Sequence, residues 1–165
     1  MTEPKTRRKQ PVEPPKPAAT IELFQPRTTG KPWGNETLVA ENTRFGTGYT
    51  GKILHRLAGP QYHRAGLQIH TAKDETFYLY QGLAWVYFVR NDWVVTSAEP
   101  VKQICKFLMQ PGMSVHVPAG AIHSVQTQGP SVMFEAAEYA PESETINVED
   151  AWDVFTAIEI PAERV

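Results

Sequence analysis

Five histidines occur in the chain, at His55, His63, His70, His116 and His123. Two of them stand in contexts with chemical content. Gln68 and His70 are two residues apart in a run that reads as a strand, so their side chains share a face. Glu75 follows an expected turn and returns on the neighbouring strand. An amide oxygen, an imidazole and a carboxylate then converge from adjacent strands. Farther along, Pro118-Ala119-Gly120 is a turn signal that places His123 at the start of the next strand. Four acceptors gathered in a protein interior would crowd their lone pairs together, because buried polar groups need partners. A divalent cation among them resolves the conflict; the alternative is a metal-free polar cluster.

Short strands must position these residues. Thr50 to Leu57 alternates, with Ile53, His55 and Leu57 on one face and Lys52, Leu54 and Arg56 on the other. Further strands are expected over Leu67 to His70, Glu75 to Tyr80, Leu83 to Val89, Val101 to Met109, Met113 to Val117, Ile122 to Thr127 and Ser131 to Tyr139. Trp93 to Thr96 is a further candidate. Gly59-Pro60, Gly82, Pro111-Gly112 and Gly129-Pro130 punctuate them. Many short strands and almost no helical periodicity predict an all-β chain, a small antiparallel β-barrel or jelly roll. In such a barrel Glu75 begins the strand beside that of His70, and His123 lies on a strand across from them. The one helix candidate is Val148 to Ile158.

The remaining histidines read more plainly. His55 is expected as a hydrogen-bonded core residue and His116 as outward-pointing. His63 is a candidate for the rim of a substrate mouth. Lys52, Arg64 and Lys73 are candidates for holding an anionic substrate group. Trp85, Tyr87 and Phe88 fit a core or a subunit interface, and Cys105 a small buried hydrophobe.

The 165 residues suit one domain with a tail. Hydrophobic residues make up 41% and charged residues 21%, enough for a packed core. No apolar run approaches the roughly 20 residues of a membrane-spanning helix. The single cysteine excludes an intramolecular disulfide and a CxxC site. With no apolar leader at the N-terminus, a cytoplasmic location is expected. The net charge of −2 argues against a general nucleic-acid binder. Residues 1–19 differ from the rest, with five basic residues against two acidic ones and five of the 14 prolines. They are expected as a disordered arm, followed by a barrel over 20–145 and a C-terminal extension, helical in part, over 146–165.

The two site segments resemble the paired motifs of the cupin superfamily. The first motif, G-x5-H-x-H-x3–4-E-x6-G, is matched by Gln68-x-His70-x4-Glu75-x6-Gly82, with Gln in the first histidine's place and no glycine six positions before it. The second, G-x5-P-x-G-x2-H-x3-N, is matched by Gly112-x5-Pro118-x-Gly120-x2-His123, with Thr127 at its end. Within that superfamily, Lys31-Pro32-Trp33-Gly34, Leu67-Gln68-Ile69-His70 and Lys73-Asp74-Glu75-Thr76-Phe77 resemble stretches of mannose-6-phosphate isomerase-like cupins. The arginine-bearing stretch near the end of that family is replaced by INVEDAWDV at 146–154.

The resemblance implies a cupin barrel with one divalent metal (Zn, Mn, Fe, Co or Ni) held by Gln68, His70, Glu75 and His123. It implies a small, carbohydrate-like ligand and aldose–ketose isomerisation of a sugar or sugar phosphate. A non-catalytic small-molecule-binding module and a non-haem metal dioxygenase are the alternatives. No residue outside the metal set stands out as a catalytic base. The open sheet edges of small cupins, with the apolar stretch from Ile21 to Phe24, imply a homodimer.

Overall fold

The structure is a computed structural model that describes residues 24–42, 48–57, 67–89, 103–138, 145–149 and 156–162. The expected N-terminal arm, most of the apolar stretch beginning at Ile21, and the candidate strand at Trp93 lie outside the described residues. In chain order the strands are β1 (Arg27–Lys31), β2 (Gly34–Asn42), β3 (Tyr49–Arg56), β4 (Leu67–His70), β5 (Glu75–Gln81) and β6 (Ala84–Phe88). They continue with β7 (Gln103–Met109), β8 (Ser114–Val117), β9 (His123–Thr127), β10 (Ser131–Glu138), β11 (Thr145–Glu149) and β12 (Thr156–Glu159).

One sheet runs β1-β2-β3-β10-β5-β8 and the other β11-β4-β9-β6-β7-β12. Every pairing is antiparallel except that of β12 with β7 at the edge of the second sheet. The all-β expectation is met, with no helix among the described residues. The helix expected over 148–158 is corrected. The chain is strand up to Glu149 and again from Thr156, and residues 150–155 lie outside the described part. Register explains the difference. β11 and β12 take backbone partners on β4 and β7, which local periodicity does not reveal. No helix among the described residues is long and apolar enough to cross a membrane.

The sheets pack through Leu54, Phe77, Leu79 and Met133 from the first, against Val86, Phe107, Met109 and Val125 from the second. The alternation of β10 is plain: Ser131, Met133, Glu135 and Ala137 are buried, while Phe134, Ala136 and Glu138 are exposed. The register lays the inner face of the first sheet in rungs. Ala137 stands opposite Glu75, Glu135 opposite Lys52 and Phe77, Met133 opposite Leu54 and Leu79, and Ser131 opposite Arg56.

This register inverts one expectation. His55 is exposed, and Lys52, Leu54 and Arg56 form the inward face of β3. Alternation predicts two faces but not which one is buried. Ion pairs of Lys52 with Glu36 (3.4 Å) and Glu135 (3.6 Å), and stacking of Arg56 on Trp33, let charged side chains turn inward.

Candidate metal centre

The site spans both sheets. β4 carries Gln68 and His70, and Gln68 is directly opposite His123 of β9. Cross-strand partners share a face, so these side chains belong to one surface of the second sheet. Glu75 opens β5 in the first sheet. The expected placement is therefore corrected: His123 is on the strand beside His70, and Glu75 reaches in from the opposing sheet. Residues 71–74 carry the chain across the gap between sheets, a change of layer that residue spacing alone does not distinguish from a hairpin.

Two backbone contacts lock the segments together. The Gly120 N–H donates to the His70 carbonyl at 2.7 Å, and the Ala119 N–H donates to the Asp74 carboxylate at 2.6 Å. Gly120 has φ +82°, a left-handed conformation that glycine adopts without strain. The Ala119 hydrogen bond outweighs partial desolvation and, helped by His116, holds the Asp74 carboxyl below its usual range. His116 is exposed, as expected, 3.2 Å from that carboxylate.

His70 Nε2 lies 3.3 Å from Glu75 Oε2, and His123 Nε2 lies 3.1 Å from the same oxygen. All three residues are buried, and the facing atoms lie within 4.8 Å of one another. None of the three atoms has a hydrogen-bond partner. The rings are oriented from behind. His123 Nδ1 is 3.1 Å from the Ala121 carbonyl, which only accepts, so Nδ1 carries the proton and the neutral ring offers a lone pair at Nε2. His70 Nδ1 meets the Thr145 hydroxyl at 3.1 Å.

Burial lowers the His70 pKa below its ordinary 6.5; Glu75 opposes this, and Lys73 and His123 add to it. Burial also works to raise the Glu75 carboxyl, but His123, Lys73 and His70 beside it prevail and lower it to about 2. A carboxylate thus faces two ring nitrogens, and with Thr145 accepting from His70 Nδ1 no donor lies between them. Two imidazole nitrogens and one carboxylate oxygen suit a borderline divalent cation such as Zn, Mn, Fe, Co or Ni, and the three orphaned atoms are what such an ion would satisfy.

A cavity of about 750 Å³ adjoins this cluster, with Gln68, His70 and Glu75 in its wall. Lys52 and Lys73, both expected at the site, line it too. Each is already engaged by carboxylates. Lys73 contacts Glu75 Oε1 and lies 3.1 Å from Glu135 Oε1, while Lys52 bridges Glu36 and Glu135. These acids, with burial working against them, raise the pKa of Lys73. His63 and Arg64 lie outside the described residues. Sequence reasoning missed Glu135, Arg56 and Thr145. For the first two, the available signal was a charge at an inward position of an alternating strand.

No family model matches the chain, and no curated protein matches it. Solved structures do. The capsular polysaccharide assembling protein CapF from Staphylococcus aureus superposes with a TM-score of 0.56 at 15% identity, covering 77% of this chain and 33% of that one. Oxalate decarboxylase from Bacillus subtilis at pH 4.6 gives 0.56 at 16% identity, covering 79% and 33%. Both are cupin-fold proteins. The fold is cupin-like. The chain spans about a third of the length of these neighbours, and at this identity the likeness establishes architecture alone. In that architecture, the His70, Glu75 and His123 cluster is a group suited to one metal ion.

Proposed function

We propose that this cupin-like protein is metal-dependent and acts on a small carbohydrate-like carbonyl compound, as an aldose–ketose isomerase of sugars or sugar phosphates. The observation that carries the proposal is the set of three buried, unpartnered atoms facing one another beside the cavity. Gln68, opposite His123 and in the cavity wall, supplies the fourth ligand. A bound divalent cation supplies Lewis acidity toward a ligand oxygen. The chain does the rest. Lys73 holds Glu75 by Oε1 and leaves Oε2 for the cation. Thr145 and Ala121 fix the imidazole rings. Glu135 is the buried carboxylate of the chamber outside the ligand set, and it takes the role of proton acceptor from a bound ligand.

One observation favours a second reading, a non-catalytic binding module. Glu135 Oε1 is held by two lysines, so that oxygen is already engaged by the chain. Metal-loaded protein mixed with a panel of aldoses, ketoses and their phosphates, followed by NMR, separates the two. Interconversion supports the isomerase, and saturable binding without turnover supports the module. Oxygen consumption by iron-loaded protein supports a dioxygenase in place of both. A cytoplasmic location and a homodimer belong to the same proposal. The outer edge of β1 at the end of its sheet is a place for strand pairing between copies, and light scattering reads the mass.

A further inference from the structure

Arg56 occupies an inward position of β3, on the same face as Leu54 and Lys52, and lines the cavity. It is 9% exposed, and its Nε and Nη1 are buried without any hydrogen-bond partner. The Trp33 ring lies 4.6 Å from the guanidinium carbon. That stacking engages the π face of the cation and leaves the in-plane donors at Nε and Nη1 unmet. Among the described residues no carboxylate lies within salt-bridge distance of Arg56. Burial lowers its pKa to about 10, and Glu135 only partly offsets this.

Three other cations in the cavity wall behave differently, and a fourth, Lys31, is only half-buried. Arg27 pairs with Glu41 at 2.8 Å, and Lys52 and Lys73 share Glu36, Glu75 and Glu135. Arg56 is thus a buried cation held in place without a counter-ion, an arrangement that is costly unless something completes it. Its seat is built into the backbone. The Leu57 N–H donates to the Trp33 carbonyl at 2.9 Å, fixing the indole beside Arg56. Gly34 pairs opposite Arg56 with φ +145°, where an added Cβ would lie 2.0 Å from the His55 carbonyl oxygen. No other residue fits that approach, so the turn carrying Trp33 is tied to glycine.

We propose that Arg56, backed by Trp33, anchors an oxyanion of the ligand, a carboxylate or a phosphate group. The inference rests on the reading that the chamber takes a small molecule, and it narrows the class. The ligand carries oxygen donors for the cluster of His70, Glu75 and His123, and an anionic group for Arg56. Sugar phosphates and sugar acids meet both demands.

The test uses full-length protein stripped of metal by a chelator, so that anion–metal contacts cannot contribute. Inorganic phosphate and acetate are titrated separately at constant ionic strength against chloride, and thermal unfolding is followed. Wild type should gain at least about 4 °C at saturation with one of the two, and the active arm tells phosphate from carboxylate. Arg56→Met should raise the midpoint in chloride and abolish the anion increment, and Arg56→Lys should keep part of it. The proposal is overturned if neither anion shifts wild type more than chloride, or if Arg56→Met and Arg56→Lys keep the full increment. If Arg56→Met does not fold, Arg56→Lys decides. Loss of turnover or of metal content bears on the proposed function and leaves this result standing, since the titration contains no metal.

Discussion

At the His70 end of the chamber, two imidazole nitrogens and a carboxylate oxygen face one another without a hydrogen-bond partner. At the Arg56 end, two buried donors face no acceptor. Between them Lys52, Glu135 and Lys73 satisfy one another. The same cavity wall therefore holds a self-sufficient middle and two incomplete ends, which need a cation and an anion respectively. Folding tolerates buried charge where partners come from the chain. Where they do not, the partner must come from outside. This contrast separates the lysines, which sequence spacing had marked for an anionic ligand, from the arginine that is free to hold one.

The largest expected effect breaks the cation end. His70→Ala or His123→Ala should each lower metal affinity by more than the roughly 100-fold that loss of an outer partner costs, read by competition with a chelating dye. Thr145→Val, which removes only the support behind His70, should cost about 10-fold.

Stability sets the two ends against each other. Arg56, with its pKa lowered by burial to about 10, opposes the fold at every pH below about 10. Arg56→Met should therefore stabilise the anion-free protein by up to about 3 kcal/mol at pH 7, measured by urea unfolding. Glu75 acts in the opposite sense. Its carboxyl is lowered from 4.5 to about 2, so it favours the fold fully above about pH 4.5. That contribution, also up to about 3 kcal/mol, should disappear as pH falls from 4.5 through 2, and Glu75→Gln should flatten this part of the acid-unfolding curve. A smaller effect sharpens the cation end. Gln68→Ala should weaken metal binding by no more than about 10-fold, since a neutral amide contributes no charge and water can replace it.

Much of this was legible in residue types. Turn residues and alternation located β3 to β10 within a residue or two at most ends, because each strand buries its own apolar rung. β1 and β2 gave little signal, since RTTGK and GNETLVAEN are polar or half-buried strands held by register with β3. β11 and β12 were hidden for the same reason, as edge strands whose partners are far away in sequence. At the site, spacing marked His70, Glu75 and His123 because their motifs fix local turns. It did not mark Arg56, Glu135 or Thr145, which come to the chamber through the pairing of β3 with β10 and of β11 with β4. Nor did it orient β3, since the face richer in apolar residues, Ile53 and Leu57, is the outer one.

Metal content of the purified full-length protein, by inductively coupled plasma mass spectrometry after reconstitution with zinc and dialysis, tests the central claim most directly. One equivalent should be retained at pH 7. It should be lost as pH falls below about 6, because ligand imidazoles must be neutral and burial already favours neutral His70. Neither His70→Ala nor His123→Ala should retain it. A wild type with no stoichiometric metal at pH 7, or histidine variants that keep a full equivalent, would contradict the account.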